Sequence, residues 1–555
     1  MTATPRANPT HRWQRPLAAL LAAVLAVPVP ALAQTSTQGP TQVRLPSLGE
    51  SASADLSVAD EKRIGESIMR EGRRDPTYLD DPVLLDYLQS LWVPLVDAAR
   101  QRGDIDLDTD NYFAYEAFLL NERSVNAFAL PGGFVGMHLG LIGMTTTRDQ
   151  LASVLAHELA HVTQRHIARS IAPGQRASMV GLATILLGIL AATRGASADV
   201  VNASIAGGQA AAIQGQLNFS RDMEREADRI GYGMLGAAGF ATAGMGEMFE
   251  RMEIASRLSD SGNFPYLRSH PLTVDRIAEA RSRTLVRASV PPAPPLAHAL
   301  MQARARVLMD TSALGLQRLV GGATSSNLLQ DQLAATYAGA MSAAMLSDKA
   351  RMAAAAPALD AALRLARAAQ PREPFAERAL LLLKAELLVA NGDAQAGLQT
   401  LADVPRLDMP GVTQRPLLLL QARTALAASR DGSAVDAAQA GQTSAVRRAT
   451  EDLQTWVTDR PQDAAAWELL ASAADASGLR LRSMRASAEA RYAVGDLTGA
   501  IDRLRAAQAA ARDVSGQDFI EASVIDSRLR QVMAERRFLV LEARGESPTR
   551  SETLP

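Results

Sequence analysis

Cysteine is absent from all 555 residues. That excludes a disulfide framework, a thiol nucleophile and a thiolate zinc site, and it closes the lipoprotein route to a membrane. Histidine is scarce, with seven in the whole chain. Charge of either sign is nearly balanced, 57 Lys and Arg against 59 Asp and Glu, which gives no basis for a nucleic-acid partner. Long hydrophobic runs are missing too: Leu17–Val27 and Met179–Ala192 both fall short of the roughly 20 residues that span a bilayer. What the chain does have is material for burial. Hydrophobic residues make up 47% of a length that predicts more than one domain, and core burial alone must hold them.

The first 33 residues read as a targeting segment. Arg6, Arg12 and Arg15 form a positive region without an acid, a short apolar run follows, and Ala31-Leu32-Ala33 precedes Gln34 as a signal-peptidase site. Export with cleavage after Ala33 takes the formal net charge from −2 to −5 by removing those three arginines. Residues 34–56, rich in Ser, Thr, Gln, Pro and Gly, read as a disordered leader.

Three of the seven histidines fall between positions 157 and 166. His157, Glu158 and His161 have the spacing H-E-x-x-H inside a helical run, so both imidazoles share one helix face and can reach one metal ion. Neutral nitrogens at that spacing suit Zn²⁺. Glu158, about 100° round the helix, is placed to act as general base on a water activated by the metal. Leu151, Val154, Leu155 and Val162 bury this helix, and unpaired buried imidazoles would be costly. His166 lies five residues past His161 and points roughly 140° away; it is expected to be dispensable.

Two histidines need a third ligand from elsewhere. Ser220–Asp228, S-R-D-M-E-R-E-A-D, places Glu224 and Asp228 on one face. Glu224 can complete the metal site and Asp228 can accept the N–H of a liganding histidine; from spacing alone Glu226 is the rival to Glu224.

Elsewhere, Asp81-Pro82 starts a helix that Pro94 ends or kinks. Tyr112–Leu120 reads as a strand. Asn126–Ile142, with Pro131-Gly132-Gly133 as a turn, reads as a hairpin. Asn126, Phe128, Gly132 and Gly133 are candidates for receiving an extended substrate strand by main-chain hydrogen bonds, against the alternative of plain sheet core. His138 reads as a structurally satisfied histidine. Residues 179–192 form a buried helix, a mobile lid or a peripheral membrane contact.

The combination of His157-Glu158-x-x-His161, Glu224-x-x-x-Asp228, Ser269-His270-Pro271 ahead of Arg276, and Asn126-Ala127-Phe128-Ala129-x-Pro131-Gly132-Gly133 resembles the M48 family of zinc metallopeptidases over roughly residues 57–285. The resemblance implies a zincin-like domain with a small β-sheet and one Zn²⁺ per chain held by His157, His161 and Glu224. It further implies Glu158 as catalytic base and His270 on a loop that can occupy the metal's open position. It places the protein in the periplasm, acting on unfolded or stalled outer-membrane proteins and their assembly machinery.

A Pro-rich linker at 290–295 separates residues 57–289 from an Ala-, Leu- and Arg-rich helical tail at 296–545, with 546–555 a disordered end. Gly392-Asp393 and Gly495-Asp496 match in register about three tetratricopeptide periods apart. The fold class is therefore mainly α, a metallopeptidase domain followed by a tetratricopeptide-like solenoid whose concave surface holds a protein partner. An irregular helical bundle is the alternative for the tail. For function, the alternative is a chaperone or scaffold with a silent metal site.

Overall fold

The computed structural model describes residues 56–170, 220–257, 264–286, 295–320, 325–430, 436–511 and 518–543. The expected signal peptide, the expected leader up to residue 55, the 179–192 segment, the expected linker before Pro295 and the 546–555 end lie outside the described residues. The first described helix is α1 (Val58–Gly72).

The central element is helix α5, Arg148–Thr163. Thr147 caps it by accepting from the Gln150 N–H, and every residue from Asp149 to Thr163 is buried. A helix apolar or buried on all sides belongs in the middle of a core rather than on a surface. Around it pack α2 (Pro82–Arg102), α7 (Arg221–Ala237), α8 (Ala243–Arg257) and one end of the sheet.

Helix α2 starts where the sequence says it should, with Asp81 accepting from Leu84 N–H and Pro82 in the first turn. It does not end at Pro94. The helix continues to Arg102 and stops at Gly103, whose φ of 72° admits the left-handed turn. Tyr112 closes a short helix, α3 (Leu107–Tyr112), and the strand expected from Tyr112 begins only at Glu116. Asp106 captures the Thr109 N–H at 2.7 Å, and that local cap overrides the β-rich composition that follows.

The sheet has four strands in the order β1-β2-β4-β3: Tyr78–Leu79, Glu116–Leu120, Phe134–His138 and Ala127–Leu130. β3 and β4 are the expected hairpin, antiparallel with Phe128 opposite Gly136, and β2 runs parallel to β4. The hairpin's second arm is shorter than its apolar run, because Leu139–Met144 turns into helix α4. β3 is an edge strand, and it lies against α5.

Helix α9 (Tyr266–Ser269) carries the chain from α8 toward α10 (Val274–Val286), beyond which come α11 (Leu296–Met309), α12 (Ala313–Val320) and α13 (Leu329–Met345). There follow α14 (Lys349–Ala368), α15 (Pro374–Ala390), α16 (Ala394–Ala402), α17 (Arg415–Arg430) and α18 (Asp436–Asp459). The last are α19 (Ala464–Ala476), α20 (Arg480–Ala493), α21 (Leu497–Ala510) and α22 (Asp518–Ala543). From α13 onward each helix packs on the next. Gly392 and Gly495 adopt φ of 88° and 81°, and the aspartate after each caps the following helix. The two matched sequence segments are thus two copies of one helix–turn–helix device. A single apolar core runs from Val83 to Leu420, through the first tail helices, so these pack as part of the same body as the helix carrying His157. Among the described residues no helix is long and apolar enough to cross a membrane.

Candidate metal centre

One close helix crossing sets the site. Gly231 of α7 presses on α5: a Cβ there would stand 2.9 Å from the Ala156 carbonyl oxygen and 3.2 Å from the His157 nitrogen. Only glycine permits that approach, and it lays the first two turns of α7 over the two histidines. Ser220 caps α7 by accepting from the Met223 N–H, so Glu224 and Asp228 start from a fixed helical register.

The Nε2 atoms of His157 and His161 lie 3.0 Å apart. Glu224 faces both, at 3.5 Å from His157 Nε2 and 3.4 Å from His161 Nε2. His270 joins them, its Nδ1 2.9 Å from Glu224 Oε1. One ligating atom from each of these four buried residues lies within 4.8 Å of all the others. The outer ring nitrogens are engaged elsewhere. His157 Nδ1 lies 3.0 Å from Asp228 Oδ1, off the ideal hydrogen-bond line, and His161 Nδ1 lies 2.9 Å from His166 Nδ1. With protons on the outer nitrogens, the inner lone pairs and a carboxylate converge on one buried point. Such a donor set repels itself unless a cation sits there, and two imidazoles with a carboxylate suit zinc. The residues present therefore fit a metal.

Electrostatics follow the same arrangement. Burial alone would raise the Glu224 and Asp228 carboxyls, but facing groups outweigh it. His270 and His157 drive Glu224 far below the usual carboxylate range, and Arg276 and His157 hold Asp228 down. Burial opposes charge on His157, yet the facing carboxylates of Asp228 and Glu224 push it up to about 10. His161 goes the other way, pushed well below its ordinary value by burial and by His157 beside it. Glu158 is fully buried, and neither of its carboxylate oxygens has a hydrogen-bond partner among the described residues. An acid so placed is kept for a ligand or substrate rather than for the fold.

Glu226, the rival acid, is directed away. It pairs with His166 at 3.1 Å and with Arg169 at 2.9 Å. His166 itself does not point away as a continuous helix would require. Helix α5 stops at Thr163, Arg165 takes a φ of 50°, and α6 (His166–Ser170) begins there with His166 turned back against His161. The periodicity argument failed because it assumed an unbroken helix; Gln164-Arg165 carries no glycine or proline to signal the break.

Arg276 is the other residue for which spacing offered no role. It binds Asp228 through two nitrogens, at 2.7 and 2.8 Å, reaches Glu224 Oε2 at 2.8 Å, and donates to the Pro271 carbonyl at 2.9 Å. One guanidinium thus ties both acids of α7 to the loop that carries His270. Tyr266 stacks on the His270 ring with centroids 4.6 Å apart.

The strand candidates divide. Asn126 is buried and its carbonyl accepts from His138 N–H, while Phe128 packs edge-on against Phe118 and His138. Gly132 and Gly133 meet the chain's own backbone: their carbonyls accept from Ala114 and Glu116, and a Cβ on Gly133 would lie 2.9 Å from the Tyr115 nitrogen. His138 is satisfied locally by Ser124, 2.8 Å away.

A buried H-E-x-x-H helix completed by an acid from a second helix defines a metallopeptidase site, and residues 98–284 match Peptidase family M48. The chain belongs to that family. It is 30% identical over 519 residues to the beta-barrel assembly-enhancing protease of Yersinia pestis, covering 93% of this chain and 97% of that protein. The protein of the same description from Escherichia coli K12 is 37% identical over 239 residues, a match covering 43% of this chain and 47% of that relative's length. The mitochondrial metalloendopeptidase OMA1 of Saccharomyces cerevisiae is 28% identical over 229 residues, 40% of this chain and 62% of the yeast protein.

Proposed function

We propose that this chain is a zinc-dependent endopeptidase of the periplasm that cleaves misfolded or stalled outer-membrane proteins during their assembly. The single observation that carries the catalytic part is the buried Glu158 carboxylate, which accepts no hydrogen bond among the described residues and has only His270 Nε2 near it, at 3.6 Å, beside four convergent ligating atoms. His157, His161 and Glu224 would hold the ion. Zinc, when bound, supplies a water of lowered pKa and polarises the substrate carbonyl. Glu158 would accept the proton of the attacking water at a carboxylate oxygen and pass it to the leaving amine. Asp228 and His166 face the outer nitrogens of the two histidines, and Arg276 keeps Asp228 ionised and fixed.

An extended substrate segment would add to the edge of β3. In this antiparallel pair Asn126, Phe128 and Leu130 are the residues that bond to β4, so alternation turns the N–H and C=O groups of Ala127 and Ala129 away from β4 toward the sheet edge, where Ala129 is partly exposed and Ala127 is buried. His270 acts as a latch. Its imidazole lies among the ligating atoms on a loop braced by Arg276 and Tyr266, where it would compete with water for the open position. The tail helices act as a tetratricopeptide-like solenoid that holds a protein partner. The periplasmic setting and the outer-membrane substrates draw their support from the expected signal peptide and from the relatives' names.

The test is cleavage of unfolded casein by purified protein with and without a chelator. Cleavage abolished by the chelator and restored by zinc supports the enzyme. Suppression of casein aggregation by a protein that never cleaves it would favour the chaperone reading instead.

A further inference from the structure

The residue behind His161 has been given no role by motif or family. For His161 to present a lone pair from Nε2, its proton must reside on Nδ1 and needs an acceptor in a site with no access to water. His161 is 1% exposed, and the atom facing its Nδ1 is Nδ1 of His166, at 2.9 Å. His166 can accept there only if its own proton is on Nε2, and that nitrogen lies 3.1 Å from Glu226 Oε2. Arg169 donates to the same oxygen at 2.9 Å. The three links admit one consistent assignment: His161 donates to His166, His166 donates to Glu226, and Arg169 holds the carboxylate.

The backbone is bent to achieve this. Arg165 is one of three non-glycine residues with positive φ among the described residues, at 50°, a conformation that is strained for a side chain with a Cβ. Two contacts hold it: Nε donates to the buried Glu61 at 2.5 Å and Nη2 donates to the Leu56 carbonyl at 2.6 Å. A strained residue retained at the end of the metal-facing helix, pinned from outside, is what returns His166 to the back of His161.

We infer that His166, oriented by Glu226, is a positioning residue that fixes the tautomer and ring plane of His161 for metal binding. It extends the usual carboxylate–histidine–metal arrangement by one imidazole, and it gives Glu226 a role one step removed from the metal. The inference rests on the metal reading above, and it concerns affinity and ligand geometry rather than turnover.

The experiment uses the full chain stripped of metal and titrated with zinc against a competing chelator, and with Co²⁺ followed by its visible spectrum. His166→Leu fills the space without an acceptor. His166→Asn places an amide oxygen near the position of the Nδ1 acceptor. The expected results are a 10- to 100-fold loss of zinc affinity and a changed Co²⁺ spectrum for His166→Leu, recovery of most of that affinity in His166→Asn, and a several-fold loss in Glu226→Ala. The inference is overturned if His166→Leu binds zinc as tightly as wild type with an unaltered spectrum. It is equally overturned if His166→Asn is as weak as His166→Leu, since His166 would then only fill space. Wild-type protein that takes up no metal would sink the metal reading itself, an outcome distinct from either.

Discussion

At the scale of single residues, the site divides between groups whose spacing announces them and groups that only folding brings in. His157, Glu158 and His161 are legible because a helix places i and i+4 together whatever the rest of the chain does. Glu224 could be separated from Glu226 only by knowing which face of α7 meets α5, and Gly231 decides that. Glu226→Ala is accordingly expected to keep metal that Glu224→Ala loses, measured as zinc per chain after dialysis. His270 makes the sharper test. If its imidazole is a latch, His270→Ala raises basal casein cleavage while leaving metal content intact; a folded, zinc-loaded variant slower than wild type would show instead that the imidazole assists the reaction. Arg276 and His166 carried no periodic signal, because His166 lies past a helix end that the sequence does not mark and Arg276 sits on a separate helix whose packing on α7 only the fold determines.

At the scale of elements, the crossing of α5 and α7 governs the geometry. Gly231→Ala inserts a methyl 2.9 Å from a main-chain oxygen, which must push the helices apart. Overpacking of this kind costs about 1–3 kcal/mol, and here it moves Glu224 away from the histidines as well. The expected outcome is a lowered denaturant midpoint together with weakened zinc binding. A loss of stability with unchanged affinity would show that the crossing does not set the site. The sequence made α5 and α7 legible through the spacing of their site residues, and the hairpin through its Pro131-Gly132-Gly133 turn. It misplaced the start of β2, because a short capped helix absorbed Tyr112, and of its two readings for Pro94 the helix end is excluded, since α2 runs on to Arg102.

At the scale of the whole molecule, α2 joins the tail to the site. Its first turns are gripped from the tail: Arg304 binds Asp81 at 2.8 Å, Thr413 donates to Asp86, and Arg415 spans Asp80 and Asp463. Buried His298 of α11 accepts from the Tyr87 hydroxyl at 2.7 Å and faces the Thr145 carbonyl. Burial pushes this imidazole down to about 4, whereas the unfolded chain titrates near 6.5. The unfolded state therefore binds the extra proton between those values, so stability is present above about pH 6.5 and is lost as pH falls toward 4, by roughly 3 kcal/mol in all. In His298→Asn that dependence is removed, and the stability gap to wild type should narrow as pH falls from 7 to 5; a gap constant with pH would refute the assignment. This union of tail and catalytic core was not visible in the sequence, where a Pro-rich stretch at 290–295 suggests separation, because the apolar faces that fuse them read equally well as solenoid interior. The central claim, that Glu158 works on a metal held by His157, His161 and Glu224, is tested most directly by zinc content and casein cleavage measured together on wild type, Glu158→Gln and His157→Ala. The account predicts one zinc per chain in wild type and Glu158→Gln, cleavage only in wild type, and neither zinc nor cleavage in His157→Ala. Cleavage by Glu158→Gln at the wild-type rate, or full cleavage by metal-free His157→Ala, would contradict it.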